Sequence, residues 1–213
     1  MPEILLADDH SIVRKGLRLL IQDYIPHSNI DEACDGSSAL EKIKQKNYDL
    51  VVMDINMPHT DSFITLETIL AIRAELKVLI FSMNSEEVFA RRFLRIGAKG
   101  YLSKDSSNNE IQKAIEVVLE GKTYISPELS QKLVATIGPK KQPDNPFDKL
   151  SSREFEIVQH MAQGNSVSEM AKKLNLHTST VGTYKGRIFE KLQVKNLVEL
   201  LHLAKAYDVI YPD

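Results

Sequence analysis

The sequence predicts a two-part α/β chain: a doubly wound parallel sheet of five strand–helix repeats, (βα)5, and then a small all-α unit of four helices. Three features carry that reading. Between residues 1 and 122, short apolar or β-branched runs alternate with stretches of helical spacing, the order that builds a parallel sheet with helices on both faces. Gly138, Pro139, Pro143 and Pro146 then interrupt a stretch nearly devoid of apolar residues, the composition of an exposed, semi-rigid connector. Beyond it the alternation stops, and Ser-x-x-Glu signatures precede apolar-periodic runs, as at helix starts. The expected division is 1–122, then 123–147 for a short helix and linker, then 148–213.

Glu3–Ala7 reads as the first strand and Ile12 to Tyr24 as the first helix, with Asp8, Asp9 and Ser11 between them as ordinary capping candidates. Ile30–Ala33 and Ser37–Gln45 form the second repeat. Leu50 to Met53 is too short for a core helix and suits a strand buried on both faces. Pro58 cannot join a sheet, so Asp54 falls where strand gives way to loop, before a helix at about 64–74. Lys77–Phe81 is the fourth strand, ending at Ser82, and Glu86–Ile96 its helix, stopped by Gly97. Gly100–Leu102 and Glu110–Glu120, closed by Gly121, complete the sheet unit, and Ser126-Pro127 opens a short helix over 128–136.

In the last part, Ser151 with Glu154 and Ser166 with Glu169 predict capping boxes for helices over 153–163 and 167–174. A turn at 175–178 leads to a third helix reaching about Leu192, and Asn196 caps a fourth over 197–206. Two short helices joined by a tight turn make a helix-turn-helix, whose second member enters a DNA major groove. On the pattern alone, a four-helix interaction bundle is the plainer reading.

Composition narrows the setting. Hydrophobic residues make up 43% of the chain, enough for ordinary globular cores. Cys34 is the single cysteine, so no intramolecular disulfide forms and a reducing compartment suits it. It is expected to be a small, partly buried hydrophobe. No apolar run reaches the length of a membrane span and no signal peptide opens the chain, so a cytoplasmic protein without membrane contact is expected. Net charge is −2, with the acidic excess before residue 138 and a slight basic excess after it, compatible with a regulatory half and a nucleic-acid-binding half.

In an open parallel sheet, sites form beyond the carboxyl ends of the strands. Asp8, Asp9, Asp54, Ser82 and Lys104 all fall on that edge. Three carboxylates brought together repel unless a divalent cation joins them, and hard oxygen donors suit Mg²⁺. A cation, a hydroxyl and an ammonium around one carboxylate form a receptacle for a dianionic phosphoryl group.

The combination of Asp8-Asp9, Asp54 with Met57-Pro58, Ser82 and Tyr101-Leu-Ser-Lys104 resembles the receiver domain of bacterial response regulators, a flavodoxin-like fold, over about residues 1–122. The resemblance implies that Asp54 accepts a phosphoryl group from a phosphohistidine on a sensor histidine kinase. It implies Mg²⁺ held by Asp9, Asp54 and the backbone carbonyl of Asn56, with Asp8 acting through water, and phosphoryl oxygens contacted by Lys104 and the Ser82 hydroxyl. Such a protein is a phosphoacceptor with at most slow self-dephosphorylation rather than an enzyme; Asn56 and Asn84, each two residues past a site residue, are by position candidates for setting the phosphoryl lifetime. Aspartyl-phosphate phosphatases, the rival reading, need a second acid two residues past the nucleophile, where this chain has Asn56. On phosphorylation, Ser82 turning to the phosphate leaves space for Tyr101 to rotate inward. Two departures stand out: Ser62 replaces a common glycine, and Asp105 follows Lys104 in place of proline, where it competes weakly for the ammonium.

Leu150-Ser-Ser-Arg153-Glu154, Gly164-Asn-Ser166, Glu169-Met-Ala171, Leu174, Thr180-Val181, Ile188 and Lys191-Leu192 likewise resemble the LuxR-type DNA-binding domain over about residues 148–206. Together the two resemblances imply the NarL/FixJ class of response regulators, transcription factors that bind double-stranded DNA, dimerise when active and act on RNA polymerase. The recognition helix supplies Thr178, Ser179, Thr180, Val181, Thr183, Tyr184, Lys185, Arg187 and Lys191 as expected DNA contacts, its cations neutralising phosphates. Gly182, where many members have lysine, and Gly186 interrupt it. Leu197, Leu200, Leu201 and Ala204 offer either a dimer seam or an internal packing face.

Overall fold

The structure, a computed structural model, describes residues 1–58, 60–83, 86–136, 145–207 and 209. Most of the expected connector, 137–144, and Asn84 lie outside the described residues. The chain divides into two compact units, Met1–Ala135 and Thr136–Asp213.

In the first unit, β1 (Glu3–Ala7), β2 (Asn29–Ala33), β3 (Leu50–Met53), β4 (Lys77–Ser82) and β5 (Gly100–Ser103) alternate with α1 (Ser11–Tyr24), α2 (Gly36–Gln45), α3 (Ser62–Ile72), α4 (Glu86–Ile96) and α5 (Asn108–Leu119). The strands form one sheet in the order β2-β1-β3-β4-β5, every pair parallel. The expected (βα)5 order is thus observed. Its apolar runs are buried on both faces: Leu50, Val51 and Met53 are wholly inaccessible. Ile4, Leu6, Val52, Leu79, Phe81 and Leu102 share one core with Leu17, Ile21, Ile111 and Ile115 of α1 and α5. Alternate strand residues face the other side, where Phe63 of α3 stacks on Phe93 of α4 at 4.4 Å.

Local chemistry sets the helix ends. Asp35 with Ser38 and Ser107 with Glu110 form capping boxes on α2 and α5, and Asp61 accepts from Phe63 and Ile64 N–H at the start of α3. Ser62, in place of the common glycine, needs no left-handed backbone, because Asn175 and Gln193 are the described non-glycine residues with positive φ. The first helix corrects an expectation: its N-cap is His10, which makes no side-chain cap bond, so neither the aspartates nor Ser11 cap it. Cys34 is a second correction. It lies past the end of β2, where the chain has left the core, and is exposed.

After α5 the chain runs beside β5. Tyr124 N–H donates to Lys99 O at 2.8 Å and residue 124 bridges Gly100 in parallel. A Cβ on Gly100 would lie 2.8 Å from Leu79 Cδ1 and 3.2 Å from Tyr124, so this approach requires glycine. The helix α6 (Pro127–Thr136) follows, with Ser126 Oγ accepting from Leu129 N–H.

The second unit opens with a 3-10 turn, Pro146–Lys149. Its Phe147, expected in the linker, is 2% exposed and packs edge-on against Tyr207. Then come α7 (Ser152–Ala162), α8 (Val167–Lys173), α9 (Thr178–Leu192) and α10 (Leu197–Ala206). Both expected capping boxes are present, and Asn196 caps α10. The turn between α8 and α9 carries Asn175 at φ 50°. Arg153 on α7 fastens that turn by donating to Leu174 O at 2.6 Å while pairing with Glu156. Ile157, Val181, Ile188, Leu200 and Ala204 are wholly buried between these helices. No helix among the described residues is long and apolar enough to cross a membrane.

Candidate functional site

The sheet order puts the reversal of connection between β1 and β3, and register brings their ends together. Ala7 pairs with Met53, and Asp54 N–H donates to Ala7 O at 2.8 Å. Asp8 and Asp54 are therefore neighbours at the carboxyl edge, 3% and 2% exposed. On the far side Ser82 pairs with Ser103, and Lys104 N–H donates to Ser82 O. That turn delivers the Lys104 ammonium to the carboxylates: Nζ lies 2.7 Å from Asp54 Oδ2 and 2.7 Å from Asp8 Oδ2. Asp105 is exposed and its N–H bonds Ser103 Oγ, so the ammonium engages the two site aspartates rather than Asp105. Asn56, exposed, donates its N–H to Asp54 Oδ1 at 3.2 Å.

The electrostatics follow from burial. Desolvation raises the Asp54 pKa above the usual aspartate range, against the opposing pull of Lys104 and the Asn56 N–H, with Asp8 adding to the rise. Burial disfavours the Lys104 ammonium, yet its bonds to Asp54 and Asp8 outweigh that and leave its pKa above the ordinary lysine value.

Asp8, Asp9, His10 and Asp54 each place a ligand atom within 4.8 Å of the others. Asp8 Oδ2 and Asp9 Oδ1 are buried, the first 2.7 Å from the Lys104 ammonium and the second 2.9 Å from His10 Nδ1. Clustered carboxylate oxygens of this kind, held within one cation's reach, are what a hard divalent cation satisfies, so this donor set fits Mg²⁺. His10 was not expected here: its N–H donates to Asp8 Oδ1 at 2.8 Å and its Nδ1 lies 2.9 Å from Asp9 Oδ1. The signal available was its place directly after the aspartate pair.

Ser82 is wholly buried and hydrogen-bonded through its side chain to Tyr101, itself 1% exposed and 6.2 Å from the Phe93 ring. Burial pushes the Tyr101 phenol well above its usual range. The ring is inward already, so the expected inward rotation is not required of this conformation. The β3–α3 loop is held from outside the site, by Thr60 Oγ1 accepting from Gly36 N–H at 2.9 Å.

In the second unit, α9 presents Thr178, Ser179, Thr183 and Arg187 to solvent, with Thr180, Tyr184 and Lys185 half-buried. Lys185 Nζ sits 5.5 Å from the Phe189 ring centroid. Val181, expected among the DNA contacts, is instead wholly buried, because the apolar stripe Val181, Ile188 and Leu192 faces the core. Lys191, also expected there, places Nζ 2.7 Å from Glu154 Oε2. An added Cβ at Gly182 or Gly186 would meet nothing within 4 Å. On α10, Leu200 and Ala204 are buried in their own unit, while Leu197 and Val198 remain exposed.

The sheet with its acid–ammonium edge defines a receiver, and the helical unit defines a helix-turn-helix reader. Residues 4–116 match the family described as response regulator receiver domain, and residues 148–204 that of bacterial regulatory proteins, luxR family. The chain is 33% identical over 210 residues to the response regulator GacA of Pseudomonas aeruginosa, covering 99% of this chain and 98% of that one. It is 34% identical over 205 residues to the response regulator UvrY of Escherichia coli K12, covering 96% and 94%. In fold it is similar to RcsB from Salmonella enterica serovar Typhimurium, solved bound to promoter rprA with a beryllofluoride phosphomimetic: TM-score 0.66, 24% identity, 97% and 100% covered. The chain belongs to the response regulators that join a receiver to a LuxR-type DNA-binding domain, the NarL/FixJ class, and is a transcription regulator.

Proposed function

We propose that Asp54 is the phosphoacceptor through which a sensor histidine kinase controls DNA binding by the helical unit. The observation that carries this is the Lys104 ammonium seated 2.7 Å from both Asp54 and Asp8 at the switch point of the sheet. In the transfer, an Asp54 oxygen forms a bond to phosphorus as the phosphorus–nitrogen bond of the donor phosphohistidine breaks, and the freed imidazole takes up a proton. Lys104 is placed to exchange its carboxylate partner for a phosphoryl oxygen, and the Asn56 N–H already points at Asp54. The Ser82 hydroxyl, at the end of β4, is the donor for another oxygen. Asp8, Asp9, Asp54 and the Asn56 carbonyl would hold Mg²⁺. When bound, that ion supplies the positive charge that lets a carboxylate approach a phosphoryl anion. Self-dephosphorylation is slow in this scheme, since the residue two past Asp54 is Asn56 rather than an acid.

The division into a receiver over 1–122, a helix and linker over 123–147 and a reader over 148–213 is the frame of the proposal. In the reader, Thr178, Ser179 and Thr183 are positioned to approach base edges, and Lys185 and Arg187 to neutralise phosphates. Exposed Leu197 and Val198 provide an apolar surface for pairing with a second copy. RNA polymerase is the downstream partner, and the cytoplasm the compartment.

Incubation with acetyl phosphate and Mg²⁺, read by intact mass, tests the central step. The wild type gains one phosphoryl group and Asp54→Asn gains none; a wild type without added mass removes the phosphoacceptor reading. Lys185→Ala combined with Arg187→Ala weakens DNA binding across sequences and lowers the salt slope by about 2.

A further inference from the structure

The magnesium set implied by the family leaves His10 without a role. The structure places it at the mouth of the acidic site. Its N–H is fixed on Asp8 Oδ1 at 2.8 Å, so the residue cannot swing away without losing that bond. Its Nδ1 lies 2.9 Å from Asp9 Oδ1 and 3.3 Å from Asp8 Oδ1. Two donors sharing an octahedral cation with bonds near 2.1 Å are roughly 3 Å apart, so these spacings are those of neighbouring ligands. Asp9 Oδ1 and Asp8 Oδ2 are both buried, the first facing His10 Nδ1 and the second the Lys104 ammonium. The ring is 64% exposed and can turn about its side-chain bonds.

An imidazole nitrogen is a borderline donor. It adds little for magnesium, which prefers oxygen and keeps its water, and much for first-row transition cations. We infer that His10 joins Asp8, Asp9 and Asp54 as a nitrogen ligand, so that this receiver accepts a borderline divalent cation such as Co²⁺ with an affinity that depends on His10, while Mg²⁺ binds through oxygen alone. The inference rests on the reading of this edge as the phosphoacceptor site, and deepens it by naming the class of cation the site selects.

The test uses the full chain at fixed pH and ionic strength, with Co²⁺ or Mg²⁺ alone as probe. Co²⁺ is followed by its visible absorption, which reports nitrogen ligation, and Mg²⁺ by its competition with Co²⁺ and by thermal shift. His10→Ala and His10→Gln both lower Co²⁺ affinity, by roughly tenfold or more, and shift its absorption bands, while Mg²⁺ affinity stays within about twofold. Asp9→Asn weakens both ions, which places the Co²⁺ signal at this edge rather than at another histidine. An unchanged Co²⁺ spectrum and affinity in His10→Ala overturns the inference. An equal loss of both ions overturns it too, because His10 then acts only by orienting the carboxylates. In either case a wild type that still gains phosphoryl mass with Mg²⁺ leaves the phosphoacceptor reading standing. A wild type that binds neither ion and gains no mass removes both.

Discussion

The Nζ of Lys191, in the last turn of α9, lies 2.7 Å from Oε2 of Glu154, the carboxylate that closes the capping box on α7. Glu154 is 3% exposed. Burial works against its charge, but Lys191 and the Ser151 bonds outweigh it and hold its pKa below the usual glutamate range. The far end of the reading helix is thereby anchored to the helix at its back.

Lys191→Met is expected to destabilise the helical unit by about 1–2 kcal/mol, since it leaves a buried carboxylate with fewer partners. A lowered folded pKa places this contribution above the unfolded glutamate value. It is therefore present near neutrality and lost as pH falls through the folded pKa. Amide exchange in α7 and α9 of the full chain, followed from neutral to acid, measures it. An exchange pattern like that of the wild type, with DNA affinity alone reduced, assigns Lys191 to phosphate contact instead.

Asp54→Asn is expected to stabilise the metal-free protein near neutral pH, by roughly 1–2 kcal/mol. The raised Asp54 pKa means that the folded state favours the protonated acid. Its contribution is full below the unfolded aspartate value and is lost as pH rises through the folded pKa. Asn keeps the shape without the charge, and Lys104 retains Asp8. Urea unfolding without metal should show the gain shrink on acidification; a loss of stability at neutrality contradicts it.

Gly36 opens α2 and Thr60 lies in the β3–α3 loop, yet the two fit as a pair. A Cβ at 36 would come 2.6 Å from Thr60 Cγ2. Gly36→Ala should cost about 1–3 kcal/mol. Adding Thr60→Ser removes the clashing methyl and keeps the hydroxyl that accepts from residue 36, so part of that loss should return, the Thr60 and Thr65 hydroxyls remaining at 3.1 and 3.0 Å. Urea midpoints of the two single variants and the double variant give the coupling; additive changes argue against the contact.

At Gly182 and Gly186 an alanine Cβ meets open space, so each Gly→Ala should stabilise α9 by about 0.8–1 kcal/mol. Binding to a DNA site selected by the wild type then separates two roles. Affinity that holds or rises marks the glycines as plain helix weakeners. A large fall marks them as the points where the helix backbone approaches the duplex.

Local rules and edge rules read well from sequence. Ser151 with Glu154 and Ser166 with Glu169 follow from a four-residue pattern, and the structure has both boxes. Asp54 and Lys104 are fifty positions apart but were expected together, because alternating strands and helices fix which ends share an edge. What stayed hidden depended on side-chain direction or on unpatterned contacts. Val181 sits among polar helix residues, and only the phase of the apolar stripe turns it inward. Thr60 and Gly36 meet across 24 positions without any motif. Cys34 directly follows an apolar strand, which suggests partial burial, but the chain leaves the core at that residue. His10 carries no motif of its own, and only the direction of its ring brings it against Asp9.

The short pairing of residue 124 with the first residue of β5 has a consequence for solubility. An open sheet rim is a template onto which another copy can add a strand. Here the chain shields the start of that rim with its own backbone, and Gly100 permits the fit. A bulkier residue at 100 would pry Tyr124 away and uncover the rim. The result would be edge-to-edge aggregation, a failure to which neither phosphate nor DNA contributes.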